Sequence, residues 1–154
     1  MKTILVSLIS ICFIFNSSAQ NLLDQNQLKK NHIHYSIGTL LFFSSSQVSY
    51  ERLFFYSKGD FPLAIGANLG IGIYSTDDSS DEIGFLFNPN FVFLTGRNKN
   101  HFEARLGLTF LDLDNLIRPS YLAGYRFQKP EGGWSFRTGM GFPETVYVGV
   151  GYSF

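Results

Sequence analysis

Hydrophobic and polar positions alternate with a period of two along most of this chain, from about residue 33 to its last residue. A period of two places successive side chains on opposite faces of a β-strand. Turn-forming residues separate eight such segments. The sequence therefore predicts eight strands, at residues 33–42, 47–56, 62–75, 83–95, 101–111, 116–128, 133–142 and 146–154.

The two faces of each segment differ in character. In 101–111, Phe102, Leu106 and Phe110 share one face, whereas Glu103 and Arg105 share the other. Large apolar residues backed by small and charged ones suit a strand with lipid outside and a packed interior inside. Closure of the sheet leaves no unpaired backbone edge in a bilayer. The predicted fold is all-β, an eight-stranded antiparallel up-and-down transmembrane β-barrel.

Two positions and the first two segments fit this pattern less well. Pro89 lies in the middle of the fourth segment and lacks a backbone donor, which predicts a bulge or kink. Arg52 falls on the apolar face of the second segment, where a charge is tolerated near a headgroup interface but costs about 2–4 kcal/mol at the midplane. The first two segments are the weakest, so a register shift between them stays open.

The first residues form a separate segment. Lys2 precedes an apolar run at 4–15, and the small residues Ser17, Ser18 and Ala19 follow it. This order is typical of a secretory signal peptide, because the apolar run is too short to span a bilayer. We expect a signal peptide at 1–19, a polar periplasmic lead-in at 20–31 and the barrel domain at 32–154. Cys12, the only cysteine, lies within the signal peptide.

The predicted turns fall into two groups. With both termini in the periplasm, the turns at 57–60, 96–100 and 129–133 are periplasmic, and the connections near 44–46, 75–82, 112–115 and 142–144 are external. The external group contains acidic residues and neither Lys nor Arg. The acidic residues are Asp77, Asp78, Asp81, Glu82, Asp112, Asp114 and Glu144.

Composition narrows the function classes. Aromatic residues make up 17% of the chain and charged residues 16%, which is a greasy composition for so small a protein. No segment after the signal peptide reaches the length of a transmembrane helix. Twelve basic and twelve acidic residues give a net charge of zero, which gives no support for nucleic-acid binding.

Charged side chains should point into the barrel. An eight-stranded barrel is just wide enough for its own side chains to fill it, so these charges are expected to pair in a salt-bridged polar core. The alternative is a narrow ion path, since the set has two more positive than negative charges. The expected charge network consists of Glu51, Glu103, Arg105, Arg118, Arg126 and Arg137.

Several combinations of residues suggest other chemistry. His34 and Ser36 with Glu51 have the residue types of a Ser-His-Glu hydrolase, as in barrels that deacylate lipid A, but parity points His34 and Ser36 inward. His101 and Glu103 share a strand face, without a third His or any Cys to complete a metal site. The oxygens of 77–82 could hold a divalent cation, although the spacing is not that of an EF-hand.

The end of the chain and several internal motifs resemble a known family. The terminal residues Gly149, Tyr152 and Phe154 resemble the C-terminal signal by which outer-membrane barrels are recognised for assembly. The chain from about 46 to 154 resembles small, mostly uncharacterised outer-membrane β-barrel proteins of Bacteroidota-type bacteria, similar in size to OmpA-type and OmpX-type barrels. The motifs concerned are Val48-Ser-Tyr-Glu-Arg52, Gly66-Ala-Asn-Leu-Gly-Ile-Gly72, His101-Phe-Glu-Ala-Arg-Leu-Gly107, Ala123-Gly-Tyr-Arg-Phe127, Trp134-Ser-Phe-Arg-Thr-Gly139 and the terminal Gly-Tyr-Ser-Phe.

These observations predict a non-enzymatic outer-membrane protein with a structural or envelope-interaction role and a filled lumen. No cofactor or metal is expected. The expected partners are outer-membrane lipid, lipopolysaccharide and, during biogenesis, the barrel-assembly machinery. The alternatives are a narrow pore or small-solute channel, a lipid A-modifying enzyme, and a soluble lipocalin-like barrel, which would require the opposite orientation of the apolar faces.

Overall fold

The computed structural model describes residues 28–40, 43–57, 62–76, 83–112 and 116–154. Within these ranges the chain forms eight antiparallel strands that close into a barrel in sequence order. This confirms the predicted all-β, eight-stranded up-and-down barrel. The strands are β1 Asn31–Leu40, β2 Phe43–Ser57, β3 Leu63–Thr76, β4 Ile83–Arg97, β5 Asn100–Leu111, β6 Leu116–Gln128, β7 Gly133–Phe142 and β8 Val146–Ser153.

Closure occurs between the first and last strands. β1 pairs with β8 from His32 opposite Ser153 to Thr39 opposite Val146. The backbones of Asn31 and Phe154 then exchange two hydrogen bonds, of 2.9 and 3.2 Å, which extend the ladder to the last residue. The start of β1, the end of β8 and the β2–β3, β4–β5 and β6–β7 connections share one end of the barrel, called here the termini end. The other connections lie at the opposite end, called the loop end.

The alternation of the sequence becomes an alternation between outside and lumen. In β8 the pattern runs exposed, buried, exposed, buried without interruption. β4 and β5 follow the same alternation, so Phe85 and Phe91 lie outside while Leu94 and Glu103 lie inside. The predicted inward and outward faces of these strands are therefore confirmed, including those of the fourth strand, which contains Pro89.

The first hairpin differs from the prediction. The serines at 44–46 do not form a turn but belong to β2, where they pair with Thr39, Gly38 and Ile37 of β1. The connection lies instead between Leu40 and Phe43. Serine clusters favour turns only weakly. Here the ladder to β1 places Ser45 in the lumen and orients Ser46 to hydrogen-bond Tyr35 at 2.8 Å.

The bulge is also elsewhere than predicted. Pro89 pairs opposite Leu69 of β3 with no change of register, and only the ladder to β5 is interrupted around it. The backbone donor that Pro89 lacks therefore interrupts the hydrogen-bond ladder to β5, but no extra residue is inserted into β4. The register shift lies in β2 between Leu53 and Phe55. It leaves Phe54 and Phe55 both on the outside.

Arg52 lies on the outer face, half-buried, opposite Asn31 of β1 and Ala67 of β3. Because Asn31 begins β1, this places Arg52 at the termini end rather than at mid-height. The sequence did not determine the height of Arg52 along the barrel, whereas the strand register does.

Leu28 packs at the termini end of the lumen. Leu28 packs into an apolar cluster with Leu53, Ala64, Val92 and Leu94. Its carbonyl accepts a hydrogen bond from the Tyr56 hydroxyl at 2.8 Å. The described part of the expected lead-in is therefore attached to the barrel interior through Leu28. The expected signal peptide at 1–19 and the lead-in up to residue 27 lie outside the described residues. No helix in the described ranges is long and apolar enough to cross a membrane.

Candidate functional site

The lumen is the polar part of this molecule. Large apolar side chains cover the outside, among them Ile71, Phe85 and Trp134, which are 64%, 69% and 74% exposed. The alternation of eight strands directs the charged residues of the sequence to one central volume. Glu51, Glu103 and Arg126 are each 0% exposed there.

Arg126 of β6 organises the centre of the lumen. Its two terminal nitrogens donate to the two carboxylate oxygens of Glu51 at 2.6 and 2.5 Å, and its Nε donates to Glu103 at 2.5 Å. The same guanidinium donates to the Gln128 side chain at 3.1 Å. A planar guanidinium suits two carboxylates at once, because its donors are fixed in a fork. β2, β5 and β6 are thereby tied across the barrel.

Arg105 and Arg137 complete the network around the same two carboxylates. Arg105 donates to Glu103 from its Nε. Arg137 lies 3.3 Å from Glu103 and 3.6 Å from Glu51. Five of the six predicted network residues therefore meet as expected, with Glu51 and Glu103 each paired to arginines.

Arg118 does not join them. It is half-buried near the loop end of β6, opposite Thr109, and forms no ion pair with a described residue. Parity correctly indicated the direction of its side chain. The height of Arg118 along the strand, however, depends on the register between β5 and β6, and this height separates it from the central carboxylates.

Two histidines belong to the network, and only one of them was singled out from the sequence. His32 accepts a hydrogen bond at Nδ1 from Arg137 at 3.0 Å, and its Nε2 lies 2.5 Å from the Ser135 hydroxyl. His34 Nε2 lies 3.2 Å from Arg137 and 3.4 Å from Arg105. His32 has the same parity as His34 and Ser36 in the sequence. This parity could have identified His32 as a residue that faces the lumen.

The Ser-His-Glu combination is present in the lumen but is not arranged as a catalytic relay. The Ser36 hydroxyl has no hydrogen-bond partner among the described residues. His34 instead faces two arginines, and the Glu51 carboxylate is bound by Arg126. A hydrolase needs a hydrogen bond from nucleophile to base and from base to acid.

One group of side chains has the composition of a metal site. The ligand atoms of His32, His34 and Glu51 lie within 4.8 Å of one another, and all three residues are buried. The Arg137 guanidinium already donates to both histidines. The other predicted pair separates, since His101 Nε2 lies 3.3 Å from the Gln128 carbonyl while Glu103 binds arginines. The acidic segment 77–82 lies outside the described residues.

Glu144 is the main departure from the predicted external loops. It was expected in an exposed acidic connection, yet it is 8% exposed and its carboxylate accepts a hydrogen bond from Ser45 inside the loop end. Burial raises the pKa of the Glu144 carboxyl above its ordinary value of 4.5, against the opposing effects of the Ser45 hydrogen bond and of Arg105. Sequence alone does not reveal this inward turn, because the connection at 143–145 is too short to show alternation.

Below Glu144 lies a small cavity of about 20 Å³. Its lining residues come from β2, β4, β5, β6, the end of β7 and the β7–β8 turn, and most of them are polar. The lining residues are Gln47, Leu86, Asn88, Asn90, Arg105, Thr109, Ser120, Leu122, Phe142, Pro143 and Glu144.

The proposed assembly residues lie on the last strand. Gly149 faces the lumen, and a Cβ there would lie 3.1 Å from the Arg137 side chain. Tyr152 and Phe154 are both 50% exposed on the outside, and the Tyr152 ring meets Trp134 edge to face at 6.0 Å.

No family model, curated protein or solved structure matches this chain.

Proposed function

We propose that this chain is an outer-membrane β-barrel protein of the small Bacteroidota-type family that its motifs resemble. The observation that carries the proposal is the inverted polarity of the barrel. Aliphatic and aromatic side chains cover its outside, while its charges are paired in the lumen. A barrel with this arrangement satisfies its backbone internally and presents hydrocarbon to hydrocarbon. A lipocalin-like barrel would need the opposite arrangement.

The height of the apolar surface supports this proposal. Outward positions of β3 are apolar from Leu63 to Ile73, ten residue steps apart. At about 3.4 Å per residue and a tilt of about 40°, these steps correspond to a height of roughly 26 Å. Outer-membrane barrels carry an apolar band about 25 Å tall.

Outward tyrosines near the termini end give further support. The Tyr50 hydroxyl donates to Asn31 at 2.8 Å, and the Tyr125 hydroxyl donates to Asn100 at 2.7 Å. Both asparagines begin strands at that end. Amphipathic rings at a common height are typical of the aromatic girdle at a membrane interface.

The role that fits this barrel best is structural or envelope-interacting, and non-enzymatic. The central lumen is occupied by the side chains of the ion-pair network, and Leu28 packs at its termini end. We propose outer-membrane lipid and lipopolysaccharide as its surroundings, and the barrel-assembly machinery as its partner during biogenesis. The signal peptide at 1–19 would direct it to that route.

Heat-modifiability on gels tests this proposal. Protein folded into detergent micelles should migrate differently before and after boiling, should show β-type circular dichroism, and should aggregate without detergent. A monodisperse β protein in plain buffer would contradict membrane residence.

Planar-bilayer recordings then test the filled lumen. We expect no steady conductance from the purified protein. Robust conductance would favour the alternative of a narrow pore that uses the inward arginines.

A further inference from the structure

The charges of the five residues at the centre of the described lumen do not balance among themselves. Arg105, Arg126 and Arg137 face only two central carboxylates, those of Glu51 and Glu103. All five side chains are at most 4% exposed. A buried charge persists when a partner compensates it, so one positive charge here requires a further counter-charge.

This excess charge faces the cavity at the loop end. Arg105 is the member of the network that lines the cavity. Its Nε is committed to Glu103, while its NH2 lies 3.4 Å from the uncharged acceptor nitrogen of His34. Arg118 adds a second positive charge nearer the mouth, on the strand position opposite Thr109, which also lines the cavity. Arg105 therefore presents a positive charge to the cavity.

The cavity has the size and lining for one small particle. A volume of about 20 Å³ is sufficient for a water-sized species. Thr109 and Ser120 supply hydroxyl groups whose hydrogens can rotate towards it. Gln47 and Asn90 each carry a side-chain oxygen without a hydrogen-bond partner among the described residues. Rotation of the Gln47 amide would exchange the positions of its oxygen and its NH2 donors, whereas the Asn90 NH2 already donates to Asn88.

Glu144 is the carboxyl group at this cavity. It comes from the turn between β7 and β8 and contacts the cavity from the loop end. No Lys or Arg nitrogen of the described residues lies within ion-pair distance of it. Gly38 makes room for it, because a Cβ there would lie 2.5 Å from the Glu144 carboxyl carbon. The Glu144 carboxyl group therefore lies at the loop end of the lumen without a direct basic partner among the described residues.

We propose that this cavity binds a small monovalent anion of the halide class, and that the Glu144 carboxylate competes with this anion for the excess positive charge of the lumen. The site concerns the lumen alone, so it holds whether or not the barrel resides in a membrane. An ionised Glu144 supplies the missing negative charge itself and repels the anion. A protonated Glu144 leaves the charge unmatched and adds a hydrogen-bond donor.

The surroundings of Glu144 give the binding a pH dependence. Arg105 of β5 and Tyr147 of β8 are the titratable groups near it, while β1, β2, β4 and β6 contribute Gly38, Ser45, Gln47, Asn88, Asn90, Ser120 and Leu122. Burial raises the pKa of Glu144. Anion uptake should therefore accompany proton uptake, and binding should strengthen as the pH falls through this raised value.

Bromide titration of the folded protein tests the proposal. Bromide replaces gluconate at constant ionic strength, and the rise of the thermal midpoint gives its dissociation constant at pH 4.5 and pH 8. We expect the parent to bind bromide roughly tenfold more tightly at pH 4.5 than at pH 8. Glu144→Gln should bind tightly at both pH values. Glu131→Gln removes an exposed carboxyl at the termini end and should behave as the parent does.

Two further measurements locate the site. Bromide anomalous diffraction from Glu144→Gln crystals should give a peak in the cavity beside Arg105. Ser120→Val in the Glu144→Gln background narrows the cavity without changing charge, and it should abolish the tight binding. Persistent binding in this double variant, or a peak elsewhere, would overturn the proposal. If Glu144→Gln does not fold, equal bromide affinity of the parent at the two pH values would overturn it equally.

Discussion

At the scale of single residues, Arg126 is the side chain on which most of the lumen depends. It connects Glu51 and Glu103 through three hydrogen bonds of 2.5–2.6 Å. Replacing one partner of a buried ion pair leaves the other charged and desolvated, which costs about 3–5 kcal/mol. Arg118 points into the same lumen but pairs with no described carboxylate. A comparison of substitutions at these two arginines therefore distinguishes the effect of an inward charge from the effect of its ion pairs.

We expect Arg126→Gln to lower the free energy of unfolding by about 3–5 kcal/mol, because Glu51 and Glu103 lose the arginine that hydrogen-bonds to both of them. The matched variant Arg118→Gln should cost less than about 1 kcal/mol. Urea titration of protein refolded into lipid vesicles, followed by the folded gel band, measures both. Equal losses in the two variants would show that the network is not what stabilises the barrel.

Glu144 gives a prediction about pH at the same scale. Below the ordinary carboxyl pKa of 4.5, folded and unfolded chains both carry the proton, so the buried carboxyl adds no penalty. As the pH rises towards the raised pKa of the folded state, the Glu144 carboxyl ionises in the unfolded chain before it ionises in the folded chain. This ionisation lowers the free energy of the unfolded state relative to the folded state. Without halide, the parent should therefore lose stability relative to Glu144→Gln between pH 4 and pH 8. Urea midpoints of the two proteins at both pH values measure this, and a pH-independent difference would contradict it.

At the scale of elements, the last strand combines two tasks. Its lumen face is made of Tyr147, Gly149, Gly151 and Ser153, which leave space for side chains of other strands. For instance, a Cβ at Gly151 would lie 2.6 Å from the His32 ring. The outer face ends in Tyr152 and Phe154, and the Phe154 backbone completes the ladder to β1. Closure and the proposed assembly signal therefore share one segment.

Phe154→Ala tests whether that segment is recognised during assembly. We expect a several-fold lower yield of folded barrel in the outer membrane of cells, with normal folding of the purified chain in detergent micelles. Phe102→Ala is the matched control, because Phe102 is a similarly exposed outward Phe, at 54% against 50% for Phe154. Unboiled gels of membrane fractions and of refolded protein give both yields. Equal loss in the two variants would mean that only apolar surface matters.

At the scale of the whole molecule, the barrel is a polar core inside an apolar surface. Each strand contributes to both, since every second residue changes side. Leu106 lies outside near the middle of β5, opposite Phe91 and Tyr121 of the neighbouring strands. Ile83 lies outside at the first residue of β4, where it is 64% exposed. In a bilayer these two positions differ in depth, whereas in water they would be equivalent.

We therefore expect Leu106→Lys to destabilise the barrel in lipid vesicles by about 2–4 kcal/mol, and Ile83→Lys by about 0–1 kcal/mol. The cause is the depth-dependent cost of a charge in hydrocarbon. Urea unfolding in vesicles measures both changes. An equal cost at the two positions would argue against a membrane around the barrel.

The sequence by itself determined the strands and their faces. Period-two alternation is a local property, so the bounds 116–128 and 133–142 agree with β6 and β7 to the residue. The inward direction of Glu51, Glu103 and Arg126 follows from the same parity. Turn chemistry was less reliable, since the serines at 44–46 form strand and Pro89 causes no bulge.

Only the tertiary structure decided which inward residues meet. Contacts across a barrel depend on the register between strands, which sets the height of each side chain, and on closure, which brings β1 against β8. This is why His32 and Ser135 lie together although 103 residues separate them, and why Arg118 misses the carboxylates. The inward fold of Glu144 also depends on closure, because Gly38 and Ser45 form its seat only once β1, β2 and the β7–β8 turn share the loop end.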